Sequence, residues 1–213
     1  MTVEQDFQVS RVVQIADQRR VGNHGLNGGS AALALEKNGI GTLTLGGTSA
    51  NTYTGGTTLT GGALTLGADN ALGGASGSFA FNGGNLQANN HGFSIGALSL
   101  SASSSLTLSD DLTHSSLTFS SATWSAGDLS IYNWSGTLAG GGDDKIYITP
   151  DSADPSFLNH VIWKGFLGGS DLQGAIVLGS TGELIPVPEP ATWFAGLGAL
   201  GILGVTMLKK RKG

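Results

Sequence analysis

Short pairs of apolar residues separated by a threonine or serine recur through the middle of this chain, and paired glycines stand between them. Gly41-Thr-Leu-Thr-Leu45 returns as Gly62-Ala-Leu-Thr-Leu66, 21 residues on. The same alternation follows at Leu98/Leu100, Leu106/Leu108, Leu117/Phe119 and Leu129/Ile131. A period of two places the apolar residues on one face and the hydroxyls on the other, as in a half-buried strand. Gly-Gly at 46–47, 55–56, 61–62, 73–74 and 83–84 supplies corners where the backbone needs positive φ. Short strands recurring every 8–21 residues predict a coil of stacked strands, a β-solenoid, with Leu43, Leu45, Leu59, Leu64 and Leu66 inside and the threonines outside. Glycine makes up 36 of 213 residues without the strict triplet of collagen. A hydrophobic share of 39% with clear alternation argues against disorder.

The clearest unit runs from Leu35 to Gly67. It contains Lys37-x-Gly39-x-Gly41-Thr42-Leu43-x-Leu45, then Asn51-Thr52-Tyr53-x-Gly55-Gly56-Thr57, then Gly61-Gly62 before Leu64-x-Leu66. This segment resembles the autotransporter-associated (passenger-associated) β-strand repeat. The resemblance implies a right-handed β-helix and an extracellular setting, and it implies no chemistry. Tyr53 beside glycines reads as a packing residue at a corner. No strands of a C-terminal β-barrel follow, so self-translocation is not expected.

From Trp124 to Pro186 the texture changes. Aromatics (Trp124, Tyr132, Trp134, Tyr147, Phe157, Trp163, Phe166) and charges both rise. A solenoid end needs a cap over its last rung, and Trp134 and Trp163 are expected to pack there. Asp154 to His160 fits one or two helical turns capped by Asp154 or Ser156.

Ala191 to Leu208 is an uncharged apolar run of 18 residues bounded by Glu189 and Lys209. At about 1.5 Å per residue it spans roughly 27 Å as a helix, enough to cross a membrane. Lys209, Lys210, Arg211 and Lys212 follow it, and a basic cluster stays on the cytoplasmic side, which places everything before Pro190 outside. Just ahead stand Val187, Pro188, Glu189 and Pro190, whose two prolines cannot continue a helix and hold an extended, accessible segment. The ordered trio of Pro-Glu-Pro box, apolar helix and terminal basic cluster resembles the PEP-CTERM sorting signal of exosortase substrates. The resemblance implies a Gram-negative envelope protein, anchored in the inner membrane and cut near Pro188–Pro190 by an exosortase-type enzyme. It would then be displayed at the cell surface or released, in bacteria that secrete exopolysaccharide. A simple tail-anchored protein is the plainer alternative.

Exported proteins need an entry signal, yet Met1 to Val21 is interrupted by Glu4, Asp6, Arg11, Asp17, Arg19 and Arg20 and holds no apolar run of 7–15 residues. The expectation is a true start upstream. Val9 to Ala16 fits a short amphipathic helix or a strand, and Gly22 to Gly29 reads as a loop.

Little in the sequence points to chemistry. Cysteine is absent, which excludes disulfides and thiolate sites. His24, His91, His114 and His160 are too far apart for a metal motif. The neighbouring pairs Asp110-Asp111 and Asp143-Asp144 would point to opposite sides of a strand. Gly140-Gly-Gly-Asp-Asp144 reads as a solvated turn rather than a calcium site, because the repeated glycine–aspartate pattern of calcium solenoids is missing. Between Val21 and Pro190 stand three basic residues (Lys37, Lys145, Lys164) against twelve acidic ones, a net of −9 that offers nothing to nucleic acid.

The expectation is therefore an all-β chain: residues 1–30 an N-terminal segment, 31–132 a short right-handed β-solenoid, 133–185 a β-rich cap, and 186–213 a proline linker, one transmembrane helix (191–208) and a basic tail. Its expected role is a non-enzymatic, exported structural or adhesive protein with no cofactor and no metal. Its partners would be an exosortase-type enzyme, the membrane and an exopolysaccharide. The alternatives are a polysaccharide-acting enzyme, favoured by carboxylates aligned across rungs, and a permanently anchored glycan-binding module, favoured by an exposed row of Tyr53, Trp124 and Trp134.

Overall fold

The structure is a computed structural model that describes residues 12–15, 19–21, 33–46, 51–109, 114–166 and 169–187. The strands, in chain order, are β1 (Val12–Ile15), β2 (Arg19–Val21), β3 (Ala34–Lys37), β4 (Thr42–Leu45), β5 (Thr57–Leu59) and β6 (Ala63–Leu66). Next come β7 (Phe79–Asn82), β8 (Asn85–Gln87), β9 (Phe93–Ala102), β10 (Ser104–Thr107), β11 (Ser116–Trp124) and β12 (Leu129–Tyr132). The last are β13 (Lys145–Ile148), helix α1 (Pro155–Asn159), β14 (Val161–Phe166), β15 (Ser170–Gln173), β16 (Ala175–Val177) and β17 (Leu184–Pro186).

Up to β14, odd and even strands separate into two sheets. One runs β1-β3-β5-β7-β9-β11-β13, and the other β15-β14-β12-β10-β8-β6-β4-β2. From β1 to β14 each strand pairs in parallel with the strand two strands along, so the chain coils as a β-solenoid. Within Val9 to Ala16, which fitted helix or strand, lies β1, paired on β3, and β2 follows it, paired on β4.

The register explains the sequence pattern. Leu43 stands beside Leu64, Leu64 beside Leu86, Leu86 beside Leu106, Leu106 beside Ile131, and Ile131 beside Trp163. All six are buried. Every second residue faces inward, and identical shapes stack from coil to coil, each leucine contributing about 2 kcal/mol of burial. The opposite sheet stacks Leu35 on Thr57, Thr57 on Phe79 and Phe79 on Leu98. Phe79 and Phe81 meet edge to face at 4.8 Å, and Phe93 and Phe119 at 5.3 Å.

One inward strand position carries a charge. Lys37 is in register with Leu59, which is in register with Phe81, and it is completely buried. Its ammonium donates to the carbonyls of Asn38 (2.7 Å), Gly39 (3.0 Å) and Gly61 (3.1 Å). The charge thus fastens the corner of one coil to the next. A buried cation is tolerated only with such partners. Gly62 leaves the room: a Cβ there would lie 2.8 Å from the Lys37 Nζ and 2.3 Å from the Gly41 carbonyl oxygen. Tyr53 is buried as a corner residue, its hydroxyl 2.7 Å from the Thr57 Oγ1.

The parallel stack continues beyond residue 132. β13 pairs with β11 and β14 with β12, although their partners lie 29 (116 to 145) and 32 (129 to 161) residues apart in sequence. The longer connections carry the Gly140–Gly142 turn and α1. Asp154 caps α1 by accepting from the Ser156 amide at 2.8 Å. Closure comes from two antiparallel elements: β15 turns back on β14, and β16 pairs with β17 as a hairpin. Trp163 is buried, and Trp134 packs on it at 4.8 Å.

Candidate functional site

The folded body hands over to its tail at β17. Leu184, Ile185 and Pro186 are all buried, which ties the hairpin to the core. The Val187 amide donates to the Gly174 carbonyl at 3.2 Å, and Val187 itself is exposed. Pro188, Glu189 and Pro190 lie outside the described residues, as do the 191–208 run and Lys209, Lys210, Arg211 and Lys212. Among the described residues no helix is long and apolar enough to cross a membrane. The Pro-Glu-Pro box therefore begins one residue past the last described backbone bond, with at most four residues (187–190) between folded body and apolar run. Fully extended, four residues span about 14 Å.

Three histidines each meet an aspartate from a different coil. His91 Nδ1 lies 3.2 Å from Asp69, His114 Nδ1 3.3 Å from Asp143, and His160 Nδ1 2.8 Å from Asp128. Asp69 also accepts from the Gly92 amide at 3.0 Å, and that bond holds its carboxyl below the ordinary carboxylate range. The imidazole of His160 stacks flat on Trp124 at 4.3 Å. These pairs sit at separate turns and clip adjacent coils together. His24, Asp110 and Asp111 lie outside the described residues. Among the described residues no three His, Asp or Glu side chains stand together as metal ligands.

The Gly140–Asp144 turn differs from the solvated turn expected of it. Asp144 is fully buried and accepts from the Ser115 amide (3.0 Å) and the Ser135 hydroxyl (2.7 Å). Glu183, also buried, accepts from the Gly141 amide at 2.8 Å. The glycines leave room at this turn: a Cβ at Gly140 would lie 3.1 Å from the Glu183 Oε2, and one at Gly142 2.7 Å from the Gly136 Cα. Both acids act as anchors for the long connection, and sequence spacing gave no sign of Glu183, 42 residues from its partner Gly141.

The row of Tyr53, Trp124 and Trp134 does not form. Tyr53 is buried, the Trp124 face is taken by His160, and Trp134 packs on Trp163 and, at 5.6 Å, on Phe166. These rings cover core edges, which the sequence could not distinguish from a platform. Among the described residues the exposed aromatic is instead Tyr132, 41% accessible at the end of β12.

Residues 186–212 match the family model of the PEP-CTERM protein-sorting motif. No curated protein and no solved structure matches the chain.

Proposed function

We propose that the chain is an exported, non-enzymatic β-solenoid that reaches the envelope of a Gram-negative bacterium through its C-terminal sorting motif. The observation that carries this reading is the match over 186–212, which begins where the folded body ends. An exosortase-type enzyme recognises Val187-Pro188-Glu189-Pro190 from the outer face of the inner membrane. The 191–208 helix holds the precursor there, and Lys209 to Lys212 fix its orientation. Processing then releases or attaches the body at the surface.

The body's role in this reading is structural or adhesive. Its support is an outward face of hydroxyls and amides, with Thr65 bonded to Gln87 and Thr107 to Asn85 between neighbouring strands. We also read residues 35–67 as one autotransporter-associated repeat. The stacking of Thr42–Leu45 on Ala63–Leu66 and the Lys37 staple support that reading. The coil is right-handed in this account, as parallel crossovers almost always are.

Cell fractionation tests the sorting reading. In a host lacking its exosortase-type enzyme, the full-length chain should accumulate in the inner membrane, and restoring the enzyme should move the body outward. Release that is independent of the enzyme would overturn it.

A further inference from the structure

The C-terminal ends of β12 and β14 frame an open groove of about 640 Å³. Its walls include the exposed ring of Tyr132, the half-buried ring of Trp134 and the half-buried ring of Phe166. Its rim carries one pair of charges, and they cancel. Asp171 accepts from the Lys164 ammonium at 2.6 Å and from the Gly165 amide at 3.2 Å. A Cβ at Gly165 would meet nothing within 4 Å, so among the described residues the rim is open at this point. A shallower groove of about 460 Å³ continues from the same Tyr132 across the outward face of the second sheet, over Ser130, Ser105 and Asn85, and its one carboxylate, Asp128, is bonded to His160 at 2.8 Å.

Each feature restricts the ligand. A rim whose cation and anion are bonded to each other, with a continuation whose carboxylate is bonded to an imidazole, gives little purchase to a phosphate, a carboxylate polymer or a metal ion. Aromatic faces suit a ligand with a flat C–H surface, and amides and hydroxyls suit one that also bears many hydroxyls. The track crosses strands about 4.8 Å apart, close to the length of one pyranose unit. A groove that runs on from one hollow into a second suits a polymer rather than a small metabolite.

We propose that this groove is a saccharide-binding site that takes a neutral oligosaccharide chain, stacked on the exposed ring of Tyr132 and running along the outward face over Ser130 and Ser105. The inference gives the display role proposed above a ligand class. It rests on that role only for where the glycan is met.

The test is calorimetric titration of the purified full chain, held in a polyoxyethylene detergent free of sugar, with neutral hexasaccharides of glucose, xylose, mannose and galactose. An alginate hexasaccharide is run beside them. The expected result is saturable binding of at least one neutral chain, weakened about tenfold or more in Tyr132→Ala, with circular dichroism unchanged. Tyr132 is exposed, so its loss leaves the core intact; Lys164→Met, which unbalances the rim, should also weaken binding. Absence of binding to every neutral chain, preference for alginate, or equal binding by wild type and Tyr132→Ala would each overturn the proposal. Because binding is read on purified protein, its failure leaves the sorting reading standing.

Discussion

Single positions set the corners of the coil. Gly62 has φ +65° and would place a Cβ 2.3 Å from one carbonyl oxygen and 2.5 Å from another. Gly165 has φ +67° but faces open space. Gly62→Ala should cost about 3 kcal/mol or more, and Gly165→Ala only about 1–2 kcal/mol, the left-handed backbone penalty alone. Urea midpoints of the two variants check this, and equal losses would remove backbone contact as the reason for Gly62. Tyr53 makes a pH prediction. Burial pushes its phenol above the ordinary range, so the folded state resists ionisation and stability falls once pH exceeds the unfolded value of about 10. Tyr53→Phe should lose about 1–2 kcal/mol at pH 7, because Thr57 keeps a buried hydroxyl without its partner. The same variant should lose less stability than wild type between pH 9 and 11.

Elements were legible in the sequence wherever the alternation was clean. The leucine pairs at 43/45 and 64/66 are strands in register, because a period of two with glycine corners leaves few other arrangements. Leu64→Ala should therefore cost about 3 kcal/mol, while Thr65→Ala, on the outward face of the same strand, should cost under about 1 kcal/mol. Less legible was Lys37, since a lysine in a strand reads as solvent-facing and its three carbonyl partners come from corners that only the coil brings together. Ile146-Tyr-Ile148 and Val161-Ile-Trp163 read as strands, but the place of β13 and β14 in the parallel stack was hidden for a related reason: connections of 29 and 32 residues break the spacing that marks a repeat. The aspartate clips between coils have a pH consequence. The Gly92 amide lowers the Asp69 carboxyl below its unfolded value, so its contribution is present above about pH 4 and lost as pH falls through the lower folded value. Asp69→Asn should show a smaller difference between urea midpoints at pH 6 and pH 3 than wild type does.

As a whole, the molecule is a one-dimensional stack in which each coil contacts mainly its neighbours. Removing residues 64–85 deletes one coil and joins Ala63 to Leu86, which keeps the inward register because Leu64 and Leu86 are direct partners. That variant should retain β-sheet circular dichroism at lower stability, whereas removing 64–74 should break the register and the fold. The sorting segment was the most legible part of the chain, for its order of prolines, apolar run and basic end is a linear signal that needs no fold. The groove at Tyr132 was the least legible, because Lys164, Asp171 and Trp134 meet only after the coil closes. Tail and body meet at Val187, and the account stands or falls on what happens just beyond it. The decisive measurement is the intact mass of the natively expressed protein beside a Glu189→Ala variant. The account predicts a wild-type body that has lost the apolar run and basic cluster, and a variant that keeps both. An uncut chain held in the inner membrane in both cases would contradict it.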